Sequence, residues 1–158
     1  MAEPFFQFKT IFGSQGAIDP YLTRAIIGRL RLHWFHRGDN DPDPHTHPFG
    51  FWTFPLTSYV EDVYHPTDFR APWHSLGCRR RVVRAFRLHY RDPSFVHRVV
   101  GRWSGARFPT RVGPTRDLPY TKPGSMFSIV WTFGYKGSWG FWTKAGFIPW
   151  KHYLKCVR

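Results

Sequence analysis

The stretch Asp43-Pro44-His45-Thr46-His47-Pro48-Phe49-Gly50-Phe51-Trp52 constrains the fold more than any other part of the chain. Pro44 and Pro48 cannot donate backbone hydrogen bonds and do not fit a helix interior, so the backbone stays extended around the two histidines. Alternate side chains of an extended strand share a face, so His45 and His47 point the same way and form a chelating pair. The aromatic residues that follow suit a strand entering an apolar interior. Two imidazoles rarely hold a catalytic metal alone, and a third ligand must come from elsewhere in the chain. His97, near the start of a later strand, is the candidate.

Length and composition point the same way. A chain of 158 residues fits one domain with room for a real core. Aromatic residues make up 20% of it, and fourteen glycines with fourteen prolines favour a turn-rich β protein over a helical bundle. Cys78 and Cys156 are its two cysteines, which excludes a disulfide framework and makes a reducing setting the default. The start, Met1-Ala2-Glu3-Pro4-Phe5, has neither the basic region nor the apolar run of a signal peptide, and no stretch is long and apolar enough to span a bilayer. The expectation is therefore a cytoplasmic protein with no membrane segment.

Taken in order, residues 1–20 read as an N-terminal arm or short strand followed by turns. The run from Tyr21 to Phe35 is ambiguous, with Leu22, Ala25 and Ile26 compatible with a short helix and Gly28–His36 with a strand. Asp39, Asp41 and Asp43 resemble a calcium loop, but Pro44 and Gly50 stand where an EF-hand needs glycine and glutamate, so the run is read as a solvated turn. Phe49–Tyr64 gives two strands around a turn at Thr57-Ser58, and Pro55 demands an edge or a bulge. Residues 65–81 look irregular, with a strand from Val82 to Tyr90 and another from Phe95 to Val100. Residues 101–124, rich in Arg, Gly and Pro, read as a long loop. The Ser125–Tyr135 run is a buried strand, and Trp139–Thr143 its hairpin partner across Lys136-Gly137, before a short terminal element.

About eight short strands with an H-x-H on one and a later histidine opening another fit a jelly roll, the double-stranded β-helix barrel of the cupins. The sequence also resembles the cupins directly. Their first motif has the form G-x5-H-x-H-x3-4-E-x6-G. Gly38, His45 and His47 depart from it by one residue in the first spacing, and Trp52 stands where the glutamate would fall. Pro93 and His97 match the proline turn and histidine of the second motif. The segments DPYLTR (19–24), LHWFHRGDNDPDPHTHP (32–48), HRV (97–99) and WGFWTKAGFIPWKHYL (139–154) resemble the small single-domain cupin-like proteins of bacteria and phages. That group usually carries an Asp where this chain has Gly50.

The resemblance implies that His45, His47 and His97 come together inside a barrel. Three neutral imidazoles with open positions suit Fe(II) first, and also Zn, Ni, Mn or Cu. The function implied is a non-haem metal-dependent dioxygenase or other oxidoreductase acting on a small molecule or modified base, with Phe51, Trp52, Phe54 and Trp131 as the water-excluding lining. Glu61 is read as a surface residue or, if turned inward, a fourth ligand or general base; Tyr59 and Tyr90 are read as core-packing residues or, at the barrel mouth, as acid or hydrogen-bonding groups. Among Arg24, Arg84 and Arg87, one facing inward could grip a substrate carboxylate. The net charge of +13 leaves nucleic acid as a partner, through Arg79, Arg80, Arg81, Arg102, Arg107, Arg111 and Arg116 with Trp103 and Phe108. A homodimer through an edge strand is implied by the family likeness. The alternatives are a non-enzymatic ligand- or nucleic-acid-binding module and a metal-free sugar-nucleotide isomerase or epimerase, which would need a histidine–carboxylate pair.

Overall fold

A computed structural model describes residues 5–13, 18–65, 77–108, 118–135 and 137–156. They form an all-β jelly-roll barrel whose two main antiparallel sheets enclose the core. The first three strands, β1 (Phe6–Ile11), β2 (Leu22–Ile27) and β3 (Leu30–Phe35), make consecutive hairpins. Gly28, at φ 56°, turns the chain between β2 and β3, a conformation glycine adopts without a Cβ clash. Pairing on both sides settles the ambiguous run from Tyr21 as strand.

This sheet continues through β4 (Phe49–Pro55), β7 (His89–Arg91) and β10 (Met126–Tyr135) in the order β1-β2-β3-β10-β4-β7. Pro55 ends an interior strand rather than occupying an edge. β7 pairs only with Phe51, Trp52 and Thr53, so no ladder on that side calls for the missing N–H.

The second sheet contains β5 (Tyr59–His65), β6 (Gly77–Val83), β8 (Val96–Phe108) and β9 (Leu118–Lys122), ordered β6-β5-β8-β9. Three sequence expectations fail here. The triple arginine lies inside β6, with Arg81 opposite Glu61 and Arg80 opposite Asp62, so cross-strand ion pairing draws it into the ladder. The strand expected over 82–90 is broken at Phe86, which adopts φ 58° in the turn before β7. The described residues of the expected loop over 101–124 are also largely sheet, since β8 runs to Phe108 and pairs with β9, and residues 109–117 lie outside the described residues. Its glycines mark irregularities within the strand: the register shifts between Trp103 and Arg107, where Gly105 has φ 96°. Residues 66–76, Arg111, Arg116 and Lys136 lie outside the described residues.

The C-terminal hairpin departs from expectation too. β11 (Gly140–Thr143) pairs with β12 (Gly146–Pro149) and, among the described residues, not with β10, and α1 (Trp150–Cys156) follows. The free edge of β11 accepts the segment before β4: the Trp142 amide donates to the Pro44 carbonyl at 2.8 Å and the Thr46 amide to the Gly140 carbonyl at 3.0 Å. Two apolar clusters hold the sheets together. Tyr59, Val83, Val99 and Met126 pack with Phe35, and fully buried Trp142 packs with Tyr64, Val96 and Phe147. Among the described residues no helix is long and apolar enough to cross a membrane.

The inward faces of the strands do not follow polarity, and the expected aromatic lining is only partly present. On β3 the polar Arg31 and His33 line a cavity between the sheets, while Leu32 and Trp34 are exposed. Phe51 lines that cavity, but Trp52 and Trp131 project outward at 40% and 50% exposure, so they cannot exclude water from it. Tyr90 is likewise on the outside, stacked on Phe133.

Candidate metal centre

The backbone itself sets the spacing of the three histidines. His45 and His97 form an antiparallel bridge, with the His45 amide donating to the His97 carbonyl at 3.0 Å and the reverse bond at 3.1 Å. His47, one alternation further on, reaches the same point. A side chain at Gly38 would collide with the Val100 carbonyl at 2.0 Å, so this glycine lets the 37–39 turn cross β8 closely and lead the chain to His45.

The ring centroids of His45, His47 and His97 lie 5.0 to 5.2 Å apart pairwise. One nitrogen from each ring lies within 4.8 Å of the others, and the Nε2 atoms of His47 and His97 are 2.9 Å apart. One ion with metal–nitrogen bonds of about 2.0–2.1 Å can reach both of these atoms, so the donor set fits a divalent transition metal. The buried His45 Nδ1 has no hydrogen-bond partner; its neighbour is an Asp39 carboxylate oxygen at 3.7 Å. Burial, and secondarily the charge of His97, pushes His45 down to about 3 and lowers His47 well below the ordinary imidazole value. Both imidazoles are therefore neutral, the form a metal requires.

Glu61 is neither on the surface nor aimed at the point where the imidazoles converge. Its side chain is fully buried, with Oε2 3.1 Å from His97 Nδ1 and Oε1 accepting from Arg81 Nε and Arg91 Nη2, each at 2.8 Å. Burial pushes the carboxyl up, but the hydrogen bond and charge of His97, then Arg91 and Arg81, outweigh it and leave the group at about 2. In the neutral imidazole that a metal requires, the ionised carboxylate holds the single His97 proton on Nδ1 and leaves the Nε2 lone pair facing the other histidines. Tyr59 is buried on the cavity wall, where burial and then the Glu61 charge raise its phenol pKa and keep it protonated.

Sequence reasoning missed three further features. Asp39 is buried rather than solvated, and its carboxyl is raised to about 7, chiefly by burial. Asp41 is buried and accepts from the Tyr153 hydroxyl of α1, which tethers the turn. His33 lines the cavity with a buried, unpartnered Nε2 and is pushed down to about 3 by burial and then by Arg24 and Arg31. The basic surface is also less free than its sequence implies. Asp62 takes Arg80 at 2.7 and 2.9 Å and Arg98 at 3.1 Å, while Arg84 stacks over Trp103.

A pH dependence follows for the metal-free protein. Below about pH 6.5 the unfolded chain protonates His33, His45 and His47 while the folded chain keeps them neutral, so unfolding takes up protons and stability falls as the pH drops. Asp39 acts oppositely, since its folded value lies above its unfolded one. The Asp43 carboxyl, also raised by burial, acts in the same sense as Asp39, and three histidines against two carboxyls still leave a net proton uptake near pH 5. Glu61 and Asp62, both lowered in the fold, add their losses only below their ordinary carboxylate range. The thermal midpoint of metal-stripped protein should therefore decline steadily from pH 6.5 to pH 5, and a flat profile over that interval would contradict the burial of neutral imidazoles.

No known family model matches the sequence, and no curated protein matches it. Among solved structures the chain is similar to Fe(II)-HppE with the alternative substrate (S)-1-HPP, at TM-score 0.49 and 9% identity, covering 80% of this chain and 56% of that one. It is similar to hydroxypropylphosphonic acid epoxidase from S. wedmorenis at TM-score 0.47 and 8% identity, with coverages of 80% and 56%. A further structure of Fe(II) HppE gives TM-score 0.49 and 9% identity over 80% of this chain and 57% of that one. This chain thus spans little more than half the length of each of these structures.

Proposed function

We propose that the protein is a metal-dependent cupin-like enzyme in which His45, His47 and His97 hold one divalent transition ion, Fe(II) foremost, for oxygen chemistry on a small molecule. The observation that carries this reading is the convergence of three imidazoles, with His97 fixed from behind by Glu61, at the wall of a cavity of about 400 Å³. A bound ion would supply Lewis-acid and redox capacity at that wall. The chain's own residues do the rest. Glu61 sets the tautomer of His97, and Asp39 stands beside His45 Nδ1 to receive a proton there. Phe35, Phe49, Phe51 and Phe141 line the cavity and exclude water. Tyr59 holds a proton at its hydroxyl within the same cavity.

The His97–Glu61 pair also favours a second reading. A metal-free isomerase or epimerase needs a histidine oriented by a carboxylate, and His97 Nε2 would then be the general base with Tyr59 as the acid. Nitric oxide separates the two. With three protein ligands and no carboxylate among them, iron-loaded protein should bind nitric oxide and give a high-spin paramagnetic spectrum. Iron-loaded protein that does not bind it would rule out oxygen chemistry, and protein that takes up no iron at all would favour the isomerase.

A further inference from the structure

The cavity wall contributed by the first sheet carries cationic and polar groups that the proposed metal chemistry does not use. Cross-strand register places Lys9, Arg24, His33 and Ser128 in one row over β1, β2, β3 and β10, Lys9 opposite Arg24, Arg24 opposite His33 and His33 opposite Ser128. All four line the cavity, as does Arg31 on the same face of β3. Arg24 Nε and His33 Nε2 are buried without a hydrogen-bond partner, and among the described residues no carboxylate pairs with Arg24. The buried acids Glu61 and Asp62 are instead committed to Arg80, Arg81, Arg91 and Arg98. A buried guanidinium donor left unpaired costs free energy that an incoming acceptor recovers.

We infer that the substrate is a small carboxylic acid, its carboxylate taken by the Arg24 guanidinium beside His33 and its apolar body lying along Phe35, Phe49 and Phe51 toward His45, His47 and His97. The planar fork of Arg24 matches a carboxylate in two parallel hydrogen bonds, which a lysine cannot reproduce. His33 is neutral and completes the head-group site through a hydrogen bond rather than a second charge. Lys9 is exposed and lines the same cavity, where it attracts an anion on approach. The cavity lies near the small end of the ~300–1,000 Å³ range of ligand pockets, which suits a compact acid. This assignment rests on the proposed function for what happens at the histidines, but carboxylate binding itself needs no metal.

Phenylacetate and phenylacetamide have nearly the same shape and differ in charge, so calorimetric titration of each into iron-loaded and metal-stripped protein isolates the head group. The acid should bind at least ~10-fold tighter than the amide, as a charge-assisted bidentate pair exceeds neutral hydrogen bonds. Arg24→Gln should abolish that preference and Arg24→Lys reduce it, with metal content unchanged in both. An acid that binds no better than its amide overturns the inference, as does a preference that survives Arg24→Gln or is undiminished in Arg24→Lys. Preference for the acid in protein that takes up no iron would remove the metal reading and leave this one standing. Normal iron uptake without the preference would do the reverse.

Discussion

Glu61→Gln should destabilise the fold by about 3–5 kcal/mol and weaken metal binding 10–100-fold. The substitution keeps the shape of the side chain and removes its charge, so the change is electrostatic. Arg91 is only 5% exposed and ion-paired to Glu61 at 2.8 Å, and without the carboxylate its guanidinium becomes an uncompensated buried charge. Arg81 contributes less, because at 38% exposure water screens it. His97 loses the partner that keeps its proton on Nδ1, so its Nε2 lone pair is no longer fixed toward His45 and His47. Denaturant titration of the metal-free protein measures the first effect, and competition with a chelator the second. A loss below about 1 kcal/mol with unchanged metal affinity would mean that the buried charges are balanced without Glu61.

The histidines were legible in the sequence because their arrangement is largely local. Pro44, Pro48 and the alternation of an extended chain place His45 and His47 on one face, and the strand after Pro93 carries His97 to meet them. The jelly-roll class was legible for a similar reason, through short strands punctuated by glycine and proline. The surroundings of the histidines depend instead on pairings that no local pattern announces. Every residue of β5 except His65 is buried, so Glu61 and Asp62 are both enclosed where simple alternation would expose one of them. Their arginines come from β6, β7 and β8, and the arginine-rich sequence of β6 reads as irregular.

Polarity does not indicate which face of β3 points inward. Arg31 and His33 face the cavity and Leu32 and Trp34 do not, the reverse of the usual sheet rule. Strand parity in β4 carries more information than residue type. Phe49, Phe51 and Thr53 line the cavity, whereas the alternate positions Gly50, Trp52 and Phe54 do not. The position where the resembling group carries an Asp is therefore on the face away from the histidines. A side chain at Gly50 would meet the Phe133 ring at 3.1 Å and the Tyr90 hydroxyl at 3.5 Å, so glycine there removes no ligand from the cavity.

The largest expected effect belongs to the histidines themselves. Each supplies one of three converging nitrogens, and removing any one leaves two imidazoles, too few to retain a transition ion through purification. The decisive measurement is elemental analysis of protein purified without an affinity tag from metal-replete cells, beside His45→Ala, His47→Ala, His97→Ala and the triple variant. His47→Ala is the most informative single change, because the main-chain bridge that fixes the fold here runs between His45 and His97. The account predicts about one transition ion per chain in the unaltered protein and its loss in every variant. Protein holding no transition metal, or a triple variant holding as much as the parent, would contradict it.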